Sequence, residues 1–281
     1  MKLSCLPVSL YADLSAGRRT LQEWFALAAD LGLDGADMSV AHLQSRDAAY
    51  LDGLRRQAED AGVPITMLVT YADFTHPDPG ERARQVDEVR AYIDVAARLG
   101  APFLRVTAGQ AHPGVEREAG IEWAVQGLLA GLEQAAQAGV TLCYENHTIG
   151  YAWQYFDFSQ PADIFLEIVA RTEGSGLQLL FDTANNLALN DDPLAVLEQV
   201  KHRVAMVHVS DIRQAGRFEP VLVGTGVAPI VPILSRLIAA GFDGWVSVEE
   251  ASKRGEEGLR RAIPYVDWAW VEAGGRPRHA G

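Results

Sequence analysis

Four short apolar runs in the second half of the chain constrain its fold more than any other feature. They are Leu142-Cys-Tyr-Glu145, Leu179-Leu-Phe-Asp182, Ala205-Met-Val-His208 and Trp245-Val-Ser-Val-Glu249. Each has the length and composition of a buried strand, and each ends in a side chain able to hold a metal ion or a proton. Their ends lie roughly 25 to 40 residues apart, about one strand-plus-helix unit of a β/α barrel. A chain built on this rhythm places parallel strands side by side, so the ends of its strands gather on one edge.

The first half keeps the same alternation. Strands are predicted at residues 3–8, 33–38, 63–70 and 102–107, then at 140–145, 177–182, 204–209 and 243–249. Between them, 3.6-residue periodicity predicts helices near 19–31, 47–61, 81–99, 116–138, from Pro161 onward in its first turn, 193–200, 230–240 and 256–270. Gly32, Gly62, Gly100 and Gly139 follow four of these as terminators. Eight such units without a break in composition predict a single-domain α/β (β/α)8 TIM barrel over residues 1–273, with a flexible tail at 274–281. An open doubly wound sheet is the alternative, and no Gly-rich dinucleotide turn follows the first strand to support it.

Strand alternation then decides which side chains face the barrel interior. Thr141, Cys143 and Glu145 share one face, as do Gln178, Leu180 and Asp182, then Val204, Met206 and His208, then Trp245, Ser247 and Glu249. The opposite faces are apolar, as surfaces under helices must be. Glu145, Asp182, His208 and Glu249 are therefore expected at the C-terminal mouth, with Glu249 preferred over Glu250. Three carboxylates gathered there repel one another unless a cation joins them. Their oxygens and one imidazole suit a single divalent ion, Mn²⁺ or Mg²⁺ first, with Zn²⁺ or Co²⁺ as alternatives.

Composition limits the partners. A formal net charge of −13 and 48% hydrophobic residues describe a protein with a large core and little attraction for a phosphate backbone, so no nucleic acid is expected. Cys5 and Cys143 both fall in strands, so no disulfide framework is implied. Residues 1–10 lack the features of a signal peptide, and no apolar run reaches membrane length. A cytoplasmic enzyme with no membrane partner is expected.

With these residues in place, the chain resembles the xylose isomerase-like TIM-barrel family of sugar isomerases and epimerases, ketose 3-epimerases among them. The resemblance is carried by Glu145-Asn-His147, Phe181-Asp-Thr183, Val207-His-Val-Ser-Asp211 and Gly241-Phe-Asp-Gly-Trp-Val-Ser-Val-Glu249. It implies that the ligands fall on Glu145, Asp182, His208 and Glu249, and that the substrate is a small carbohydrate. It departs at Asn185, where a substrate-contacting His is usual, and at Thr225, where an acidic residue is usual.

The expected activity is removal of a proton beside the carbonyl of a ketose or related polyol, through a metal-stabilised enediolate. Glu145 and Glu249, on strands three steps apart, are the candidate acid/base pair. The alternative is a dehydratase of a keto-cyclitol or keto-sugar, which shares the first proton abstraction. An apurinic-site endonuclease is disfavoured by the acidity and by only seven His. His147, Asn185, Asp211 and Arg213 are candidate substrate contacts. Arg105 is a candidate either for a substrate oxygen or for a buried ion pair with a rim carboxylate. Tyr71, Trp153, Tyr155 and Phe156 are candidate shields for a sugar ring, and Gly224-Thr-Gly226 is a weak phosphate signal. A homo-oligomer is compatible with the sequence, and no residue decides it.

Overall fold

A computed structural model describes residues 1–278. Eight parallel strands form a nearly closed barrel with helices between them: β1 (Lys2–Leu6), β2 (Ala36–Ser39), β3 (Ile65–Val69), β4 (Phe103–Val106), β5 (Thr141–Glu145), β6 (Gln178–Asp182), β7 (Val204–Val209) and β8 (Trp245–Glu249). The helices are α1 (Tyr11–Ser15), α2 (Leu21–Asp30), α3 (Ala48–Asp60), α4 (Pro79–Leu99), α5 (Arg117–Leu129), α6 (Leu132–Ala138), α7 (Ala162–Arg171), α8 (Pro193–Val200), α9 (Ile230–Ala239) and α10 (Gly255–Glu272).

Strand ladders run continuously from β2 through β8 to β1. At the β1–β2 seam, single contacts replace the ladder. The Asp34 backbone N–H donates to Leu3 O at 2.8 Å, and the Leu3 N–H donates to the Asp34 carboxylate at 2.7 Å. Ser4 Oγ donates to Asp37 Oδ2 at 2.8 Å, inside the barrel.

Sequence dictates the helices in familiar ways. α2 begins in a capping box: the Glu23 N–H donates to Thr20 Oγ1 at 3.2 Å, and the Thr20 N–H donates to Glu23 Oε2 at 2.7 Å. Such a cap contributes ~1 kcal/mol. In α9, Ile230, Ile233, Leu234 and Leu237 recur at helical spacing and are all buried against the barrel. Each fully buried side chain of this kind contributes roughly 1.5–3 kcal/mol.

The structure departs from sequence expectation in three places. The single helix expected at 116–138 is two, α5 and α6, broken at Ala130 and Gly131. A Cβ at Gly131 would sit 2.9 Å from Ile93 Cδ1, so a side chain there would require the end of Ile93 on α4 to shift. Pro161 is the N-cap of α7 rather than a first-turn residue. The β6–β7 register shifts at Leu179/Leu180, so Ala205 is an extra residue in β7. As a consequence, Val204 packs with the helix-side core and Ala205 with the barrel interior, the reverse of simple alternation. Residues 274–278, the described part of the expected tail, make contacts with the barrel. Arg278 pairs with Asp267 and Asp34, and Trp270 Nε1 donates to Arg276 O. Residues 279–281, the rest of the expected flexible tail, lie outside the described residues.

Leu6, Met67, Val69, Cys143, Leu180 and Met206 fill the barrel interior as a dry plug. Below the mouth, one ionisable group interrupts it. Asp37 is fully buried, accepting from Ser4 and Ser247 through Oδ2 while Oδ1 has no partner. Burial pushes its pKa from 3.8 to about 6, against the pull of the Ser247 and Ser4 hydroxyls and of His208. The folded chain therefore binds more protons than the unfolded chain across that window, and stability from this group falls as pH rises through it. Asp37→Asn is expected to gain about 3 kcal/mol on the wild type between pH 4 and pH 7, measured by urea unfolding at both pH values. Parallel pH profiles for the two proteins would show that Asp37 ionises normally.

Candidate metal centre and cavity

Glu145, Asp182 and His208 end or nearly end β5, β6 and β7, and Glu249 ends β8. One ligand atom from each lies within 4.8 Å of all the others. His208 Nδ1 is 2.7 Å from Glu145 Oε1 and 3.2 Å from Glu249 Oε2. Asp182 Oδ1 is fixed by the N–H groups of Ala184 at 2.8 Å and Asn185 at 2.7 Å, and by Ser210 Oγ at 2.9 Å. Its Oδ2 is buried without a partner, as is His208 Nε2.

Asn146 stitches the site together beneath these ligands. Its Nδ2 donates to Asp182 O at 3.0 Å and to Asn186 Oδ1 at 2.8 Å, and its Oδ1 accepts from the Asp182 N–H at 2.7 Å. The sequence motif contained Asn146 but assigned it no role.

The electrostatics show what this donor set lacks. Burial pushes Asp182 up, and the nearby Glu249 and Glu145 charges push it further. Burial opposes a charged His208, but the same two glutamates outweigh burial and raise its pKa well above the ordinary value. Burial also raises Glu145, but His208 and Arg105 overcome that and lower it. The cluster holds together on its own only by retaining protons. Three carboxylates, an imidazole and an unpartnered buried carboxylate oxygen fit a divalent cation, which neutralises the same charge.

Glu249 also forms part of the floor of a cavity of about 440 Å³, walled by Tyr11, Tyr71, Arg105, His147, Tyr151, Trp153, Phe218 and Lys253 among others. A narrower recess of about 40 Å³ adjoins it and contains Asn185, Thr148, Ser210 and Asp211. His147, Phe218 and Glu249 border both spaces.

The other sequence candidates separate clearly. His147 is held by Nδ1 lying 3.2 Å from Asp157 Oδ2, and its ring meets Trp153 edge-on at 5.3 Å. Asn185 Oδ1 accepts from Thr148 Oγ1 at 2.7 Å, which leaves the amide nitrogen as its free donor in the recess. Asp211 borders the recess, but its carboxylate is taken up by four backbone N–H groups: Gly224, Gly226, Ala228 and Ile212, at 2.7–3.0 Å. Gly224-Thr-Gly226 thus binds a carboxylate of its own chain where a phosphate was considered. A Cβ at Gly226 would sit 2.1 Å from Ile212 O. Arg213 pairs with Glu219 at 2.6 Å on an exposed face, away from both cavities. Tyr71 and Trp153 wall the large cavity, whereas Tyr155 packs on His112 and Phe156 is 48% exposed. Glu250 is fully buried, with Ser9 Oγ and the Ser252 N–H donating to it.

Sequence reasoning missed Tyr11, whose buried hydroxyl has no partner in the cavity wall. It lies on the five-residue α1, too short to leave a periodic signal.

The geometry agrees with what comparison finds. The family model for the xylose isomerase-like TIM barrel matches residues 25–267. A Streptomyces coelicolor protein provisionally named hydroxypyruvate isomerase is 30% identical over 243 residues, covering 82% of this chain and 82% of the relative. A 3-dehydroshikimate dehydratase of Pseudomonas aeruginosa is 23% identical over 237 residues, 82% of this chain but 36% of that longer protein. Among solved structures, an IolI protein with a bound zinc atom superposes with a TM-score of 0.77 at 18% identity, covering 97% of this chain and 98% of that one.

Asp182 has no proton-transfer role to complicate its removal, and its Oδ2 is the orphaned atom. Asp182→Ala is expected to strip a metal-loaded preparation of its ion, read by elemental analysis. Full occupancy in that variant would mean that the ion binds elsewhere.

Proposed function

We propose, since this chain belongs to the xylose isomerase-like TIM-barrel family, that it is a divalent-metal-dependent isomerase or epimerase of a ketose or related polyol. The observation that carries this is the gathering of two glutamates about one imidazole nitrogen, Glu145 at 2.7 Å and Glu249 at 3.2 Å from His208 Nδ1, beside a cavity of sugar size. Glu145, Asp182, His208 and Glu249 would hold the ion, Mn²⁺ or Mg²⁺ first and Zn²⁺ or Co²⁺ as alternatives. When bound, the ion supplies positive charge where negative charge develops beside the substrate carbonyl.

The chain's own groups divide the remaining work. The Glu249 side chain is 24% exposed and lines the cavity, so it reaches a substrate C–H directly. Glu145 lies deeper, 1% exposed, between His208 and Arg105. We assign the first proton abstraction to Glu249 and the return of a proton from the other side to Glu145. Asn185 offers an N–H to a substrate oxygen in the recess, and His147 lies at the boundary of the two spaces. Tyr71 and Trp153 give the sugar ring an apolar wall. Trp153 is anchored by donating from Nε1 to Tyr71 O at 3.3 Å. Asp211 folds the loop that carries the recess, and Arg213 is left outside the substrate's reach.

A dehydratase acting on a keto-cyclitol or keto-sugar is the second reading, favoured by the P. aeruginosa relative. The same Glu249 would remove the proton, and a β-hydroxyl would then leave. The acidic surface and two free cysteines agree with a cytoplasmic protein that binds no nucleic acid. Among the described residues no helix is long and apolar enough to cross a membrane.

Incubating the metal-loaded protein with a ketose panel in deuterated water tests the proposal. Label beside the carbonyl with water retained marks an isomerase or epimerase, whereas an unsaturated product marks the dehydratase. Glu249→Gln should keep its metal and lose about 10²-fold or more of the exchange. Glu145→Gln should keep exchange better than net epimerisation. Near wild-type epimerisation in either variant, with metal bound, would refute the two-base mechanism. Asn185→His should change relative rates among ketoses and leave metal content alone. Identical rate ratios would reduce Asn185 to a support for Thr148.

A further inference from the structure

Arg105 is the one strongly basic side chain in the cavity wall that is also buried. It leaves β4 at the mouth with its side chain 3% exposed. Its Nε lies 3.4 Å from Glu145 Oε2, an ion-pair distance without a hydrogen bond, and neither Nε nor Nη1 has a hydrogen-bond partner. The Tyr71 ring covers one face of the guanidinium, its centroid 5.1 Å from the central carbon. Arg105 is one of the residues lining the large cavity. In the same wall the Tyr11 hydroxyl is buried with no partner. Buried donors are almost always satisfied, and leaving a charged one unmet is costly. Two such groups in one wall, outside the cluster of metal ligands, call for an acceptor supplied by the ligand.

From this arrangement we propose that the cavity binds a substrate carboxylate on Arg105 and Tyr11, so the substrate of the proposed reaction carries an acid group beside its oxo and hydroxyl groups, as a small hydroxy-oxo acid does. This rests on the metal-centred reading only for the reacting end of the molecule. A guanidinium fork matches the two oxygens of a planar carboxylate, and the phenol adds a third donor. A neutral hydroxyl would accept one bond and leave the other buried donors unmet, because the ion pair with Glu145 supplies charge but no hydrogen bond. The Gly-Thr-Gly backbone donors suited to phosphate are already occupied by Asp211. Lys253 lies at the rim of the same cavity and forms no ion pair among the described residues, which adds positive potential at the entrance. Carboxylate and reacting carbon are thereby held at two points, Arg105 and Glu249, of one cavity.

The test measures binding and needs no turnover, so it stands or falls separately from the isomerase proposal. Titration calorimetry of the metal-loaded protein compares cyclohexanecarboxylate with its neutral isostere cyclohexanecarboxamide. The carboxylate should bind about tenfold tighter or more, as expected for charge-assisted bonds. Arg105→Gln, with its metal content verified, should erase that preference. Equal binding of the two probes by the wild type overturns the proposal. So does a preference that survives Arg105→Gln, which would place the carboxylate on the ion. If Arg105→Gln fails to fold or loses its metal, Tyr11→Phe decides. A preference reduced about threefold supports the site, and an unchanged one overturns it.

Discussion

The mouth of this barrel depends on mutual repulsion among Glu145, Asp182 and Glu249, held in check by His208. Nothing in the dry plug below them, from Leu6 to Met206, can solvate a charge. Parallel strands end together by construction, so residues far apart in sequence are forced into one 4.8 Å neighbourhood. The result is raised pKa values on Asp182 and His208 and a lowered one on Glu145. Those opposed directions describe a cluster short of positive charge. Arg105 supplies part of it from the side, and its own donors remain unmet.

Rigidity in the surrounding shell maintains this crowding. Asn146 links the ends of β5 and β6 through two hydrogen bonds to Asp182 and reaches Asn186 with a third, and Asp182 Oδ1 is held by two backbone N–H groups and Ser210. A carboxylate fixed on one oxygen presents the other in one direction. That is the arrangement a ligand atom needs if a metal is to find its geometry already formed. The seam between β1 and β2, by contrast, depends on a few contacts through Asp34 and Asp37. The strands bearing the ligands are all on the fully laddered side.

Much of this was legible in the sequence because strand alternation is a strict geometric rule. Apolar runs rich in Val, Leu and Phe announced the eight strands, and facing brought four ligand side chains to one point. Where legibility failed, the cause was non-local. Ala205 turns inward because β6 sets the register, and nothing in Val204–Val209 records that. The break between α5 and α6 falls at Gly131, beside Ile93 of α4, a neighbour that the local sequence does not reveal. Asn146 needed partners on β6 to show its purpose. Tyr11 needed the cavity to exist before its place in the wall could be seen.

The acidic residues make the same point about function. Asp211, Asp157, Asp73 and Glu250 are as buried as the ligands and look no different in sequence. Each is occupied by donors of its own chain. Asp211 takes four backbone N–H groups, and Asp157 takes Ser159 through both N–H and Oγ. Asp73 takes the Gln110 N–H and Nε2, and Glu250 takes Ser9 and the Ser252 N–H. Their charges are spent on shaping loops around the mouth. Asp182 Oδ2, unlike these, is a buried carboxylate oxygen with no donor among the described residues, adjoining two glutamates that share a single imidazole nitrogen. A second oxygen left without a donor, rather than residue type or burial, separates Asp182 from the carboxylates that only build this barrel's rim.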